Sequence, residues 1–190
     1  MINGTDGMSI VLRALDFAAH RHRDHRRKGG AASPYINHLI DVADILWNVG
    51  GVADITLIAA AVLHDTVEDT ETTEAELVDL FGKDVASVVM EVTDDKSLPN
   101  DVRKRLQVEH ASSLTDRAAL IKIADKTSNI RDIVESPPVG WSVDRRRAYV
   151  MWGQEVVDRI RGTNEELERM FDDVCEKAYL ILDREEPEHK

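Results

Sequence analysis

The sequence predicts an all-α protein of about eight to ten helices. Apolar residues recur at helical spacing along nearly the whole chain, and residues suited to helix caps stand before most of these segments. Alternating β-branched runs are scarce, and aromatic residues make up only 5% of the 190, so little supports a sheet.

The first helix is expected over about Gly7 to Arg27, with Ile10, Leu12, Leu15, Phe17 and Ala18 as apolar positions and a basic end that complements the helix dipole. "GGAASP" reads as a loop. Asn37 is positioned to cap a helix carrying Ile40, Val42, Ala43, Ile45 and Leu46, which Gly50-Gly51 would stop. Asp54 is suited to cap the next helix, whose "ITLIAAAVL" is apolar on nearly all sides and therefore belongs in the core. Thr73 and Glu76 form a T-x-x-E capping box for a short helix ended by Gly82. "VASVVMEV" has the composition of a strand, but its length and neighbours favour helix. Further helices are expected from Arg103 to about Ser112, from Arg117 to Val134 behind a cap at Thr115 or Asp116, from Val143 to Arg161, and from Glu165 to Leu182, the last behind a Thr163-Glu166 capping box. One domain is expected, with its core over about residues 7–182 and a flexible tail at 183–190.

Composition narrows the function classes. The formal net charge of −12 disfavours a nucleic-acid surface, which needs a cationic footprint. The longest nearly apolar run, Ile55 to Leu63, is far too short to cross a bilayer, and "MINGTDGMSI" lacks a basic segment leading into an apolar one. A cytoplasmic protein without a membrane partner is therefore expected. Cys175 is alone, which excludes a disulfide framework or a thiolate metal cluster. Charge is nevertheless concentrated. Residues 20–28, "HRHRDHRRK", hold five Arg/Lys and three His against one Asp, whereas residues 65–79 hold seven acids and no base. A basic lip on an acidic protein suits a small polyanion better than a long one.

The chemistry concentrates in "LHDTVEDT", residues 63–70. At helical spacing His64 and Glu68 share a face, as do Asp65 and Asp69, so the four groups converge if the helix persists. His38, near a helix start, and Asp125, among apolar neighbours in "LIKIADKTSNIRDI", could complete a metal site. Two imidazoles and two carboxylates form a mixed N/O set suited to Mn, Fe, Co or Zn. Each residue also has a plainer role open to it: His38 could stabilise a helix start, and Asp125 could pair with Lys122, Lys126 or Arg131. Glu68 and Asp69 could be solvated acids.

The pattern His38, His64-Asp65, Asp125 resembles the HD superfamily of metal-dependent phosphohydrolases. "RRKGGAASPYINH", "AAAVLHDTVEDT", "FGKDVASVVMEVTDDKSLP", "RKRLQVEHA" and "LIKIADKTSNIRDI" are similar, in order and spacing, to the hydrolase domain of Rel/SpoT-type alarmone enzymes. "GWS", the Arg145 to Tyr149 segment and "RGTNEEL" resemble the stand-alone Mesh-type small alarmone hydrolases, so that the likeness covers about residues 14–170. It implies an HD-domain helical bundle that hydrolyses the 3′-pyrophosphate of guanosine tetra- or pentaphosphate, usually with Mn²⁺, to GDP or GTP and pyrophosphate. Zn²⁺, Fe²⁺ and Co²⁺ are the alternative ions.

By the same resemblance, His38, His64, Asp65 and Asp125 match the metal ligands, and Glu68 and Asp69 the essential acidic pair. Arg27 and Lys28 match the basic lip, Asn129 a nucleotide contact, and Arg145 and Tyr149 further substrate contacts. His25 and Leu39 replace residues common in relatives, Gln and Pro. The chain has no room for the synthetase and regulatory domains of the long enzymes, so degradation without synthesis is implied. The alternatives are another metal-dependent nucleotide phosphatase, for example on NADPH, and a nucleotide-binding regulator without catalysis. Oligomeric state is left open.

Overall fold

The computed structural model describes residues 4–185, which form ten α-helices and no strand. In chain order these are α1 (Gly4–Arg21), α2 (Ile36–Asp44), α3 (Ile55–Leu63), α4 (Thr66–Asp69), α5 (Glu74–Phe81), α6 (Lys83–Val92), α7 (Asn100–Ala111), α8 (Asp116–Glu135), α9 (Val143–Val157) and α10 (Glu165–Glu185). Isolated bridges join Arg26 to Pro34 and Gly29 to Pro138. No described helix is long and apolar enough to cross a membrane.

The core is organised on α3 and α8. Leu57 to Leu63 of α3 are all buried, as its all-round apolar composition requires. Helices α1, α2, α6 and α8 pack around α3, and α10 lies along α8. The Asp54 carboxylate caps α3, accepting from Thr56 N at 3.0 Å and Leu57 N at 3.3 Å, so two of the unpaired amides of the first turn find a partner. Thr115 caps α8 at Ala118 N, and "VASVVMEV" is helical with Val85, Ala86, Val88, Val89 and Val92 buried on one face.

Several expectations are corrected. Helix α1 ends at Arg21, six residues before the predicted end. Beyond Ala18 the chain offers few apolar residues to hold a helix on the core, and His22, buried, turns it through a stack on Tyr35 (centroids 4.9 Å, 17° between planes). Asn37 does not cap α2: helical backbone already holds at Tyr35, which leaves Asn37 inside the first turn. Helix α2 runs on into a π-helical turn, Ile45–Val49, before Gly50-Gly51. Helix α7 starts three residues early, at Asn100, and α9 ends at Val157, four residues early, in turns that lead to Gly162 at φ 89°.

The two capping boxes are each rearranged. Thr73 accepts from Glu76 N, but the Glu76 carboxylate pairs with Arg21. At α10 the cap is Asn164, accepting from Leu167 N at 3.0 Å, while Glu168 accepts from the Gly162, Thr163 and Asn164 amides. Helix α10 also continues to Glu185, where Asp183 pairs with Arg147 and Glu185 with Arg146, so residues 183–185 are helix and not tail. The remainder of the expected tail, 186–190, lies outside the described residues.

Candidate active site

Four elements deliver the four predicted ligands to one place. His38 sits in the first turn of α2, His64 just past the end of α3, Asp65 in the turn before α4, and Asp125 midway along α8. Helix α3 does not persist through the motif. Thr66 Oγ1 donates to Leu63 O at 2.6 Å, and His64 Nδ1 lies 2.7 Å from Ala61 O. These bonds satisfy carbonyls at the helix end. The chain turns at Asp65 and resumes as the single turn α4, with Asp69 N donating to Asp65 O at 2.9 Å.

His38 Nε2 is 3.2 Å from Asp125 Oδ1 and 3.7 Å from Asp65 Oδ2; His64 Nε2 is 3.2 Å from Asp65 Oδ2 and 3.7 Å from Asp125 Oδ1. Both Nε2 atoms are buried and make no hydrogen bond. Each ring is oriented from its far side, His64 by Ala61 O and His38 by Ser128 Oγ at 3.0 Å. Rings held by Nδ1, with bare Nε2 atoms aimed at carboxylate oxygens, suit imidazoles that ligate a metal. Ligand atoms of His38, His64 and Asp65 all lie within 4.8 Å of one another. This donor set fits a divalent ion, and Asp125 Oδ1 stands close enough to both imidazoles to serve as a fourth ligand.

The electrostatics point the same way. Burial disfavours charge on His64, but the carboxylates of Asp65 and Asp125 raise it to about 10. Burial prevails at His38 and holds it below the usual imidazole value. Burial also opposes ionisation of Asp65 and Asp125. His64 for the former and Lys126 for the latter overcome that opposition, so both stay well below the ordinary carboxylate range. The Asp65 and Asp125 carboxylates flank the same pair of imidazoles, and a divalent ion bound among them would balance their charge.

The candidate ligands are further tied down by Tyr35, which sequence reasoning missed, and by Lys126 and Asn129, which it had weighed as a surface partner and a nucleotide contact. Tyr35 OH donates to Asp65 Oδ2 at 2.7 Å, and Lys126, 3% exposed, places Nζ 3.0 Å from Asp125 Oδ2 and 4.5 Å from the Trp152 ring centroid. Asn129 Nδ2 donates to Asp125 Oδ1 at 2.5 Å, while its Oδ1 accepts from Arg27 at 2.8 Å. Of the partners open to Asp125, the fold therefore selects Lys126. Arg131 pairs with Asp41, and Lys122 donates to Val92 O.

His64, Asp65 and Asp125 open onto a cleft of about 690 Å³, within the range of small-molecule sites. Glu68 and Asp69 line it from α4. Glu68 Oε2 accepts from Asp94 N at 3.2 Å and Oε1 is 3.4 Å from Arg103; Asp69 pairs with Lys96. Burial, and then the charges of Asp65 and Asp94, push the Glu68 carboxyl above its ordinary value.

Arg27, Lys28, Asn129 and Tyr149 line the same cleft. Arg27 is braced by Asp132 at 2.8 Å and Lys28 is exposed at the rim. Arg145 does not line the cleft but stacks beside it, its guanidinium carbon 4.2 Å from the Trp141 centroid. The cleft wall also carries Lys96, Arg103, Lys104, Lys122 and Lys126, cations that sequence reasoning did not assign. The available signal was on α7, where Asn100, Arg103, Lys104 and Gln107 follow i, i+3, i+4, i+7 spacing with polar instead of apolar residues.

The chain is similar to known proteins. The model of the HD domain family matches residues 14–149. The chain is 51% identical over 172 residues to human guanosine-3′,5′-bis(diphosphate) 3′-pyrophosphohydrolase MESH1, covering 90% of this chain and 96% of that protein. It is 49% identical over 164 residues to the Xenopus tropicalis MESH1, covering 86% and 92%. A solved structure described as a metazoan ortholog of SpoT that hydrolyses ppGpp and plays a role in starvation responses superposes with a TM-score of 0.86 at 45% identity, covering 88% of this chain and 94% of that one. The chain thus belongs to the HD domain family, in the branch formed by the MESH1 pyrophosphohydrolases.

Proposed function

We propose that this chain hydrolyses the 3′-pyrophosphate of guanosine 3′,5′-bis(diphosphate) and of its pentaphosphate analogue, giving GDP or GTP and pyrophosphate. The observation that carries this is the convergence of two unbonded imidazole Nε2 atoms and two ionised carboxylates beneath a nucleotide-sized cleft. The Glu68-Asp69 pair and a basic rim stand on its walls. The similarity to MESH1 proteins over nearly their whole length supports the choice of ester.

In this reading His38, His64, Asp65 and Asp125 hold Mn²⁺. When bound, a divalent ion supplies a Lewis acid that polarises the scissile phosphate and acidifies water. The chain's own groups do the rest. Glu68, kept basic by its buried and acidic surroundings, accepts a proton from water as the water oxygen bonds to phosphorus. As the P–O3′ bond breaks, the departing 3′-oxygen takes a proton from the Lys96 ammonium that Asp69 holds in place, and the proton that Glu68 removed from water replaces it. Arg27 and Lys28 screen substrate charge at the mouth, Tyr149 and Arg145 hold the nucleotide further along, and Asn129 keeps Arg27 and Asp125 in register. The chain works as one hydrolase domain in the cytoplasm, where guanine nucleotides are available. A net charge of −12 supports a role that needs no nucleic-acid partner.

The test is release of pyrophosphate from guanosine tetraphosphate by the purified protein with Mn²⁺, set beside a known hydrolase. No release by this protein while the known enzyme is active would refute the assignment. Asp65→Ala is expected to lose both metal and activity, and Glu68→Gln to keep metal and lose most turnover.

A further inference from the structure

Helix α7 differs from every other long helix in the fold. Only Ala111 of its twelve residues is fully buried, and the side chains it turns toward the cleft are Asn100, Arg103, Lys104 and Gln107. It is fastened to α9 through Trp152 Nε1, which donates to Lys104 O at 3.0 Å, and through Lys104 Nζ, 4.6 Å from the Trp152 centroid and 5.0 Å from that of Tyr149. Gln107 is committed to Asp94 at 2.5 Å. Arg103 is not committed in that way. Its contact with Glu68 Oε1 is 3.4 Å through NH1, and its Nε is buried with no partner. A charge-assisted bond to a carboxylate ordinarily closes to about 2.7–2.9 Å, and a guanidinium offers five donors in a fork shaped for carboxylate or phosphate. Arg103 is therefore held beside the acidic pair with donors unspent and one of them desolvated, which has a cost unless an acceptor arrives.

We propose that Arg103 is a catalytic residue whose guanidinium grips the non-bridging oxygens of the substrate's 3′-pyrophosphate, and that it leaves Glu68 to do so. The identity of the phosphate rests on the hydrolase reading above; the recognition of a pyrophosphate by Arg103 does not. The exchange has two consequences for the reaction. The transferred group meets a fixed positive charge as negative charge builds on its oxygens while water bonds to phosphorus and the P–O3′ bond breaks. Glu68, relieved of a cation, becomes a stronger base at the moment the substrate is in place. Glu68 and pyrophosphate thus compete for one guanidinium, and this competition can be measured.

Binding of inorganic pyrophosphate by protein carrying one equivalent of Mn²⁺ is to be measured by equilibrium dialysis for wild type, Arg103→Ala, Glu68→Gln and the double variant. Turnover of guanosine tetraphosphate is measured alongside. Arg103→Ala is expected to weaken pyrophosphate binding at least about tenfold and to lower kcat about 100-fold, the scale for loss of a donor that meets developing charge. Glu68→Gln is expected to tighten pyrophosphate binding several-fold, and that gain is expected to vanish in the double variant, which a merely structural role for Arg103 would not produce. Arg103→Lys, which keeps the charge, should regain part of kcat, and it provides the same comparison if Arg103→Ala fails to fold.

Unchanged pyrophosphate binding in a folded Arg103→Ala, or a Glu68→Gln gain that survives without Arg103, would overturn the proposal. If wild type leaves guanosine tetraphosphate intact while the pyrophosphate pattern holds, the substrate assignment fails and the recognition of pyrophosphate by Arg103 stands.

Discussion

Removing a single hydroxyl offers a sharp test of how the candidate metal centre is built. Tyr35→Phe deletes the donor that lies 2.7 Å from Asp65 Oδ2. It leaves the ring where it stacks on His22 and faces the Arg27 guanidinium, 5.6 Å from the ring centroid. Packing is retained, so the change reads the hydrogen bond. A hydrogen bond to a charged group contributes about 1.5–3 kcal/mol. Loss of a partner that orients a metal ligand costs about 10–100-fold in affinity, which is about 1.4–2.8 kcal/mol. The two scales overlap, and we expect Tyr35→Phe to weaken Mn²⁺ binding about tenfold or more while saturating Mn²⁺ restores most of the turnover. Competition against a fluorescent chelator measures the first, and a metal titration of activity the second. A metal Kd within twofold of wild type would refute the claim that Tyr35 positions Asp65.

Three further outcomes follow from the geometry. Without added metal, Glu68→Gln should raise Tm at pH 7: the folded-state pKa of Glu68 lies above its ordinary value, so the ionised group lowers stability as pH rises through that window, and melts below pH 4 should show no difference. Lys126→Met strips a buried cation from Asp125 and should cost about 3 kcal/mol in urea unfolding without metal, with saturating Mn²⁺ recovering much of the loss; equal loss with and without metal would count against Asp125 as a ligand. Gly29→Ala puts a Cβ into the backbone carbonyl of Ser136, which should displace the lip carrying Arg27 and Lys28, raise KM severalfold and leave metal affinity unchanged.

Much of the architecture was legible because core helices announce themselves. The apolar run of α3, the Asp54 cap and the buried stripe of α6 are local properties that the fold preserves. Helix α1 was overextended because a basic run is compatible with helix until tertiary contacts decide, here the burial of His22 against Tyr35. The candidate ligand residues stood out by their types and by resemblance, and the structure brings all four together. Arg145 stands beside the cleft and not in its lining, and Asn129 spends its amide on Asp125 and Arg27. What could not be read was the company these residues keep. Tyr35, Lys126 and Arg103 lie 30, 1 and 35 positions from the acids they serve, and only Lys126 is near enough in sequence to be weighed as a partner.

The sparse burial of α7 separates two duties that usually compete in an enzyme. The residues proposed to hold the metal stand on α2 and α8 and at the end of α3, against the core, where most changes disturb packing. None of those that α7 turns toward the cleft is fully buried, so exchanging them costs folding less than a change in the core. A duplicated copy of such a chain could acquire a new phosphate ester by rewriting one helix face while the hydrolytic floor beneath it stays intact.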